Sequence, residues 1–276
     1  LREQVAAAQQ ERQPEVRAKL LMKISLQQAQ ARDLAAARQT MRMAEKACQE
    51  VADPVGQATA FSLLASAQQE LGEASGAQAA VESARRAAEQ ATEPGAKARA
   101  LARVARAQGT LNDAAAAKAT LQSAEELAGK AEATSAKMLA LGAVAAAFQK
   151  LGESAQAERL LAAALDLAKA LDSDRARAVA LADLAASQHE LNHKEGADKC
   201  FALALELTRK IPKAHTKAYT LLDVAEKLAR SGNLAKTREI LDEADQVAHR
   251  IPEHDLQQPA VEKVRATMDK LLRSAK

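Results

Sequence analysis

Aromatic residues are almost absent from this chain: three Phe, one Tyr and no Trp among 276 residues. That excludes the aromatic-rich core of a typical large enzyme. Ala and Leu dominate instead, as between closely spaced helices, where small side chains let backbones approach. β-Branched runs are lacking too, so no sheet is expected. Cysteine is limited to Cys48 and Cys200, too few for a disulfide framework. No apolar run approaches the ~20 residues of a membrane span, and no signal peptide is visible. Excess charge of one sign is also missing. With 39 basic and 36 acidic residues the net charge is +3, which gives no case for general nucleic-acid binding. No Gly-rich phosphate loop and no supported Ser/His/Asp set occurs, so no cofactor, metal or catalytic residue is expected.

What is present is a helix-former composition rich in Ala, Leu, Glu, Lys, Arg and Gln, arranged in a repeat. Residues 138–177 show the unit cleanly: a helix, a tight turn, a second helix and an exit loop. Six blocks of forty follow one another without insertion, at 18–57, 58–97, 98–137, 138–177, 178–217 and 218–257. Residues 1–17 read as the end of a preceding block, and 258–276 as a C-terminal half-repeat. A single helix pair cannot bury both its faces, so neighbours must stack. The expectation is an all-α protein, one α-solenoid domain of antiparallel helix pairs over residues 1–276.

The columns of the repeat carry the physics. Place four is large and apolar: Leu21, Phe61, Leu101, Leu141, Leu181, Leu221 and Val261. Place seven is Ile24, Leu64, Val104, Val144, Leu184, Val224 and Val264, and place eight is small, from Ser25 and Ala65 to Ala225. These spacings share one helix face. Leu71, Leu111, Leu151 and Leu191 close the first helix at place fourteen. Gly72, Asn112, Gly152, Asn192 and Gly232 then mark a turn, because Gly and Asn tolerate the left-handed conformation that ends a helix. The second helix carries small columns at Ala37, Ala77, Ala117, Ala157 and Ala197, with Thr237 departing, and at Ala44 through Ala244. Asp53-Pro54, Glu93-Pro94 and Ser173-Asp174 signal the next first helix. In the last two blocks the break is expected to move back, to Ile211-Pro212 and Ile251-Pro252. Each helix should span about 17–18 residues, roughly 27 Å at 1.5 Å per residue.

The pattern resembles the tetratricopeptide repeat family, with a large residue near place four, a small one at eight, Ala at twenty and twenty-seven, and Pro near the block end. Leu101, Ala105, Ala117, Ala124, Pro54 and Pro94 fill those places. The family's Leu-Gly pair and its aromatic at place eleven are replaced; Gln28, Gln68, Gln108, Phe148, Gln188 and Leu228 occupy the latter column. The block is also six residues longer than the usual repeat, similar to the long-helix repeats of kinesin light chains and some bacterial regulators. The resemblance implies a right-handed superhelix whose first helices line a concave groove for a peptide or a partner's helix, and no enzyme activity from the repeats.

On that implication, places two, five, six, nine, twelve and thirteen face the groove. Its first blocks would then contribute Lys19, Lys23, Arg99, Arg103 and Arg106. The middle block would contribute Leu139, Gly142, Ala143 and Ala146, an apolar floor, and the last blocks Asp183, Glu190, Tyr219, Asp223 and Glu226. Arg99, Arg103 and Arg106 within two turns could grip a carboxylate or phosphate.

Three other features call for reading. His189-Glu190-Leu191-Asn192-His193 matches the zinc-protease string, which needs both His one turn apart on one helix; Asn192 falls in the turn column, so a repeat turn is expected instead. Cys48 and Cys200 read as small buried hydrophobes, and His215, His249 and His254 as solvated. Arg17, Lys97, Lys137, Arg177 and Lys217, with Gln57 departing, hold place forty. There they could bind an acidic partner or cap the preceding helix's carbonyls, and capping is preferred.

The expected function is a non-catalytic scaffold binding a protein or peptide. Balanced charge and scarce aromatics argue against nucleic acid. A sensory or spacer region of a larger chain is the other alternative, favoured by the start at Leu1 and the partial first block. A cytoplasmic location is the default expectation.

Overall fold

The computed structural model describes residues 1–132, 134–190 and 192–273. Fourteen helices and no strand occur among them. The first helices of the repeats are α2 (Pro14–Gln30), α4 (Pro54–Glu70), α6 (Pro94–Thr110), α8 (Thr134–Lys150), α10 (Asp174–Glu190), α12 (Ala214–Ala229) and α14 (His254–Arg273). The second helices are α1 (Arg2–Gln9), α3 (Leu34–Gln49), α5 (Ala74–Gln90), α7 (Ala114–Gly129), α9 (Ser154–Lys169), α11 (Lys194–Lys210) and α13 (Leu234–Ala248). The chain forms two compact units, residues 1–131 with 147–154, and residues 132–146 with 155–276. In the first, α2, α4 and α6 pack on α3, α5 and α7 and on one another in sequence order. In the second, α10 packs on α11, α12 on α13 and on α10, and α14 closes against α12 and α13. The protein is an all-α stack of consecutive helix pairs.

The turns follow from local chemistry. Backbone φ is positive at Arg32, Gly72, Asn112, Gly152, Asn192 and Gly232, one residue per forty. At the first turn the N–H of Arg32 donates to Ala29 O at 2.9 Å and that of Asp33 to Gln28 O at 3.0 Å, the paired bonds of a Schellman C-cap. The next residue is already the N-cap of the second helix: Asp33, Asp113 and Asn233 accept from the N–H groups of Ala36, Ala116 and Lys236 at 3.0–3.1 Å. Arg32 belongs to this column although its residue type gives no sign of it. A left-handed Arg costs about 1–2 kcal/mol, partly offset by glycine's larger unfolded-state entropy. Arg32→Gly should therefore raise stability by about 0.5–1 kcal/mol, and Gly152→Ala should lower it by at least that much. Urea melts check both; equal midpoints for Gly152→Ala and wild type would sink the argument.

The starts of the first helices also follow their caps. Asp53 accepts from Gly56 N–H at 2.6 Å, Glu93 from Gly95 and Ala96, and Ser173 from Ala176 N–H at 3.1 Å. The expected shift of the break in the last two blocks does not occur. α12 and α14 begin at Ala214 and His254, on the same forty-residue spacing as Pro14, Pro54 and Pro94. Ile211 and Ile251, 4% and 2% exposed, stand in the column of buried Val51, Ala91 and Ala131. They hold the exit loop on its usual path, and Pro212 and Pro252 lie outside the helices.

Places four, seven and eight are buried in all six blocks. At the crossing within a pair, the small columns of the two helices meet: Ser25 Oγ donates to Ala37 O at 2.7 Å. Each Ala methyl buried there contributes on the order of 0.8 kcal/mol, so stability comes from repetition. Places one, five and eleven are buried as well, which the sequence columns had not indicated.

Candidate functional site

The first helices present their remaining exposed surface at places two, six, nine and twelve to thirteen. In the first unit this face is cationic. Lys19 and Lys23 of α2 are exposed, and Arg99, Arg103 and Arg106 of α6 are half-buried at places two, six and nine. A cavity of about 510 Å³ lies between α2 and α4, lined by Lys19, Lys23, Leu26, Leu63, Ser66 and Glu70 among others. Burial extends to the Arg99 Nε, which has no hydrogen-bond partner.

The second unit departs from the sequence expectation in two ways. Ala143 and Ala146, assigned to an apolar groove floor, are 2% and 1% exposed, and Gly142 is buried too. They are core residues. α10 comes so close to this part of α8 that a Cβ on Gly142 would sit 1.9 Å from Leu184 Cδ1, and Gln188 Nε2 donates to Gly142 O at 2.6 Å. Place five is buried in all six forty-residue blocks, and first helices pack on one another in sequence order within each unit. Leu139 alone of that group stays half-exposed.

The acidic end is the second departure. Asp183 pairs with Lys227, and Asp223 lies 3.7 Å from Arg175. With Glu226, three acids thus face two cations. Partial burial pushes the Asp223 carboxyl up; Arg175 opposes this and Glu226 adds to it. Tyr219 lies with its ring 4.8 Å from that of His215, so His215 is half-exposed with one face against a ring, while His249 and His254 are exposed. Glu190's side chain and Leu191 lie outside the described residues. Lys227 and Arg175 were missed because they occupy places ten and thirty-eight. The available signal was diagonal: place six of one helix meets place ten of the next first helix.

The other candidates resolve into structure. α10 ends at Glu190, Asn192 has φ 60°, and His193 is the N-cap of α11. His189 and His193 therefore do not share a helix. The His193 ring instead contacts Gln188 Oε1 through Nδ1, and burial lowers its pKa. Cys48 and Cys200 are fully buried, their thiols pushed up to about 12 by desolvation. Place forty caps helices. Lys97 Nζ donates to Glu89 O at 3.1 Å, Arg177 Nε to Leu171 O at 2.8 Å, and Arg17 Nη1 to Glu11 O at 2.7 Å. Gln57, the apparent exception, does the same with Gln49 O at 3.3 Å, and Gln257 with His249 O at 2.7 Å. A donor from the next helix thus satisfies a carbonyl at the preceding helix's end (Lys97, Gln57 and Gln257) or in the exit loop just after it (Arg177 and Arg17), where positive charge is favourable.

The fold and this surface define a helical-repeat protein. No family model and no curated protein matches the chain. Among solved structures, the crystal structure of Ton1535 from Thermococcus onnurineus NA1 is similar at 17% identity and TM-score 0.45, covering 95% of this chain and 94% of that one. No helix among the described residues is long and apolar enough to cross a membrane.

Proposed function

We propose that this chain is a non-catalytic interaction scaffold of the tetratricopeptide-repeat-like kind, holding a peptide or partner segment on the first-helix face of its first unit. One observation carries the reading: Lys19, Lys23, Arg99, Arg103 and Arg106 stand at places two, six and nine, at least partly exposed, with Leu26 and Leu63 at the cavity between α2 and α4. An acidic segment with apolar anchors suits this face, charge supplying steering and register and the leucines supplying contact area.

The test is a charge reversal, Arg99→Glu/Arg103→Glu/Arg106→Glu, assayed by fluorescence anisotropy against a labelled Glu/Leu-rich peptide at low and moderate salt. Affinity should fall at least about tenfold and its salt dependence should flatten. Unchanged affinity removes the face from the assignment. Tight, salt-steep binding of a single-stranded oligonucleotide in place of the peptide would move the function to nucleic acid.

A further inference from the structure

Inside the second unit, the second helices α9 and α11 border a cavity of about 360 Å³. Leu165 stands on one side, Leu203 and Leu207 on the other, and Leu181 of α10, 4% exposed, lines it from the core. Leu203 is 39% exposed, and between residues 35 and 255 no other large hydrophobic among the described residues is left so open. The repeat shows that the fold does not call for leucine here. Leu165 holds place twenty-eight of its block and Leu203 place twenty-six of the next. In the other four pairs of successive full blocks these places hold Glu45 and Ser83, Arg85 and Ser123, Glu125 and Ala163, and Leu205 and Glu243. Each of those pairs carries a charged side chain, and the pair at the cavity carries none. The rim is cationic. Lys169 and Arg177 line the cavity with one acid, Glu206. Lys210 holds that acid at 2.6 Å, so its charge is already matched. Arg177 is oriented by Leu171 O and by Asp174. Lys169 reaches Asp166 at 2.7 Å, but both are more than 70% exposed, an exchangeable pair of little strength.

We propose that this cavity binds a free medium-chain carboxylate, with its aliphatic tail against Leu165, Leu181, Leu203 and Leu207 and its anionic head at Lys169 and Arg177. Small ligands are usually held in cavities of about 300–1,000 Å³ that are mostly apolar with a few convergent polar groups. A volume of about 360 Å³ is at the small end of that range and suits a single aliphatic chain. A partner's helix, about 10–12 Å across with its side chains, would rest on the rim rather than fill the space. Removal of the tail from water supplies most of the affinity. The two cations decide which end of the molecule lies outward, through charge-assisted hydrogen bonds to the carboxylate. This site is independent of the first-unit face, so either assignment can fail without the other.

Isothermal titration of the full chain with sodium decanoate, kept below its micelle concentration, should show saturable one-to-one binding. Octanoate should bind at least about threefold more weakly, because fewer methylenes leave water. Decyltrimethylammonium should bind at least about tenfold more weakly, because its head meets Lys169 and Arg177. Leu165→Glu/Leu203→Ser installs residues that the repeat itself uses at these places, as at Glu45 and Ser83. This variant should weaken decanoate binding at least about tenfold, while a circular dichroism melt keeps its midpoint. Lys169→Glu, at an exposed position, should weaken decanoate and strengthen the cationic amphiphile. No saturable binding at millimolar decanoate overturns the proposal, as does binding that is indifferent to Leu165→Glu/Leu203→Ser or equal for the two head groups. Two further results overturn it by giving the cavity another occupant. One is sedimentation showing a dimer that Leu203→Ser abolishes. The other is Leu203-dependent flotation with phosphatidylglycerol vesicles where decanoate does not bind.

Discussion

Gly142→Val should destabilise the second unit by about 3 kcal/mol or more, seen as a lower urea midpoint with an unchanged slope. Even a single methyl at this position would lie 1.9 Å from Leu184 Cδ1 and 3.2 Å from Gln188 Nε2. Leu184 is fully buried, so its side chain has no free volume to retreat into, and the helices themselves must part. Separation then loosens contacts along the whole α8–α10 crossing, because packed interiors leave few voids to absorb a shift. A double-mutant cycle with Leu184→Ala should recover part of the loss, since the two residues are in contact. Gly129 supplies the control. Nothing lies within 4 Å of a Cβ built there, so Gly129→Ala should be neutral or stabilising by up to about 1 kcal/mol. If Gly142→Val and Gly129→Ala melt alike, the close crossing is not what holds this unit together.

Gln188→Ala should cost about 2–4 kcal/mol, combining a cavity with lost hydrogen bonds. The side chain is fully buried and bridges two elements. Its amide donates to Gly142 O on α8, and its Oε1 faces His193 Nδ1 at the start of α11. One residue therefore ties a first helix to its predecessor and to its own turn. Gln188→Leu separates the contributions. Phe148 and Leu228 are buried in the same column, so the site accepts apolar volume, and leucine should lose the hydrogen bonds while keeping most of the packing. The leucine variant should thus fall between wild type and alanine in a thermal melt. Equal losses for the two variants would assign the role to the hydrogen bonds alone. No loss in either would show that the buried amide is incidental.

The repeat is legible in the residues alone, and the reason is locality. The turn column, the caps at Asp53, Glu93 and Ser173, and the period of places four, seven and eight depend on residues within a turn or two of each other. Backbone preference, capping geometry and helix periodicity act at that range. The place-forty donors were also legible, since the helix end they cap lies eight residues away, as with Lys97 and Glu89. The candidate surface was legible only in part. Lys19, Lys23 and the three arginines of α6 remain at least partly exposed, but Ala143 and Ala146 do not. Whether a residue beside the core stripe meets solvent depends on how near the next helix comes, and that distance is set by side chains about forty residues away.

The sequence by itself determined that this protein is a run of helix pairs at a constant forty-residue spacing, where most of the turns fall, and which stripe of each helix is apolar; the turn at Arg32 and the breaks near Ile211 and Ile251 were not legible. Only the tertiary structure decided the rest: the burial of place five, the pairing of Asp183 with Lys227 and the bridging role of Gln188. Each of these arises between helices, where packing distance and burial determine whether a small residue, a charge or an amide faces a neighbour or water. Gly142 shows the difference most plainly, since its lack of a side chain reads as room for a ligand in the sequence and proves to be room for Leu184.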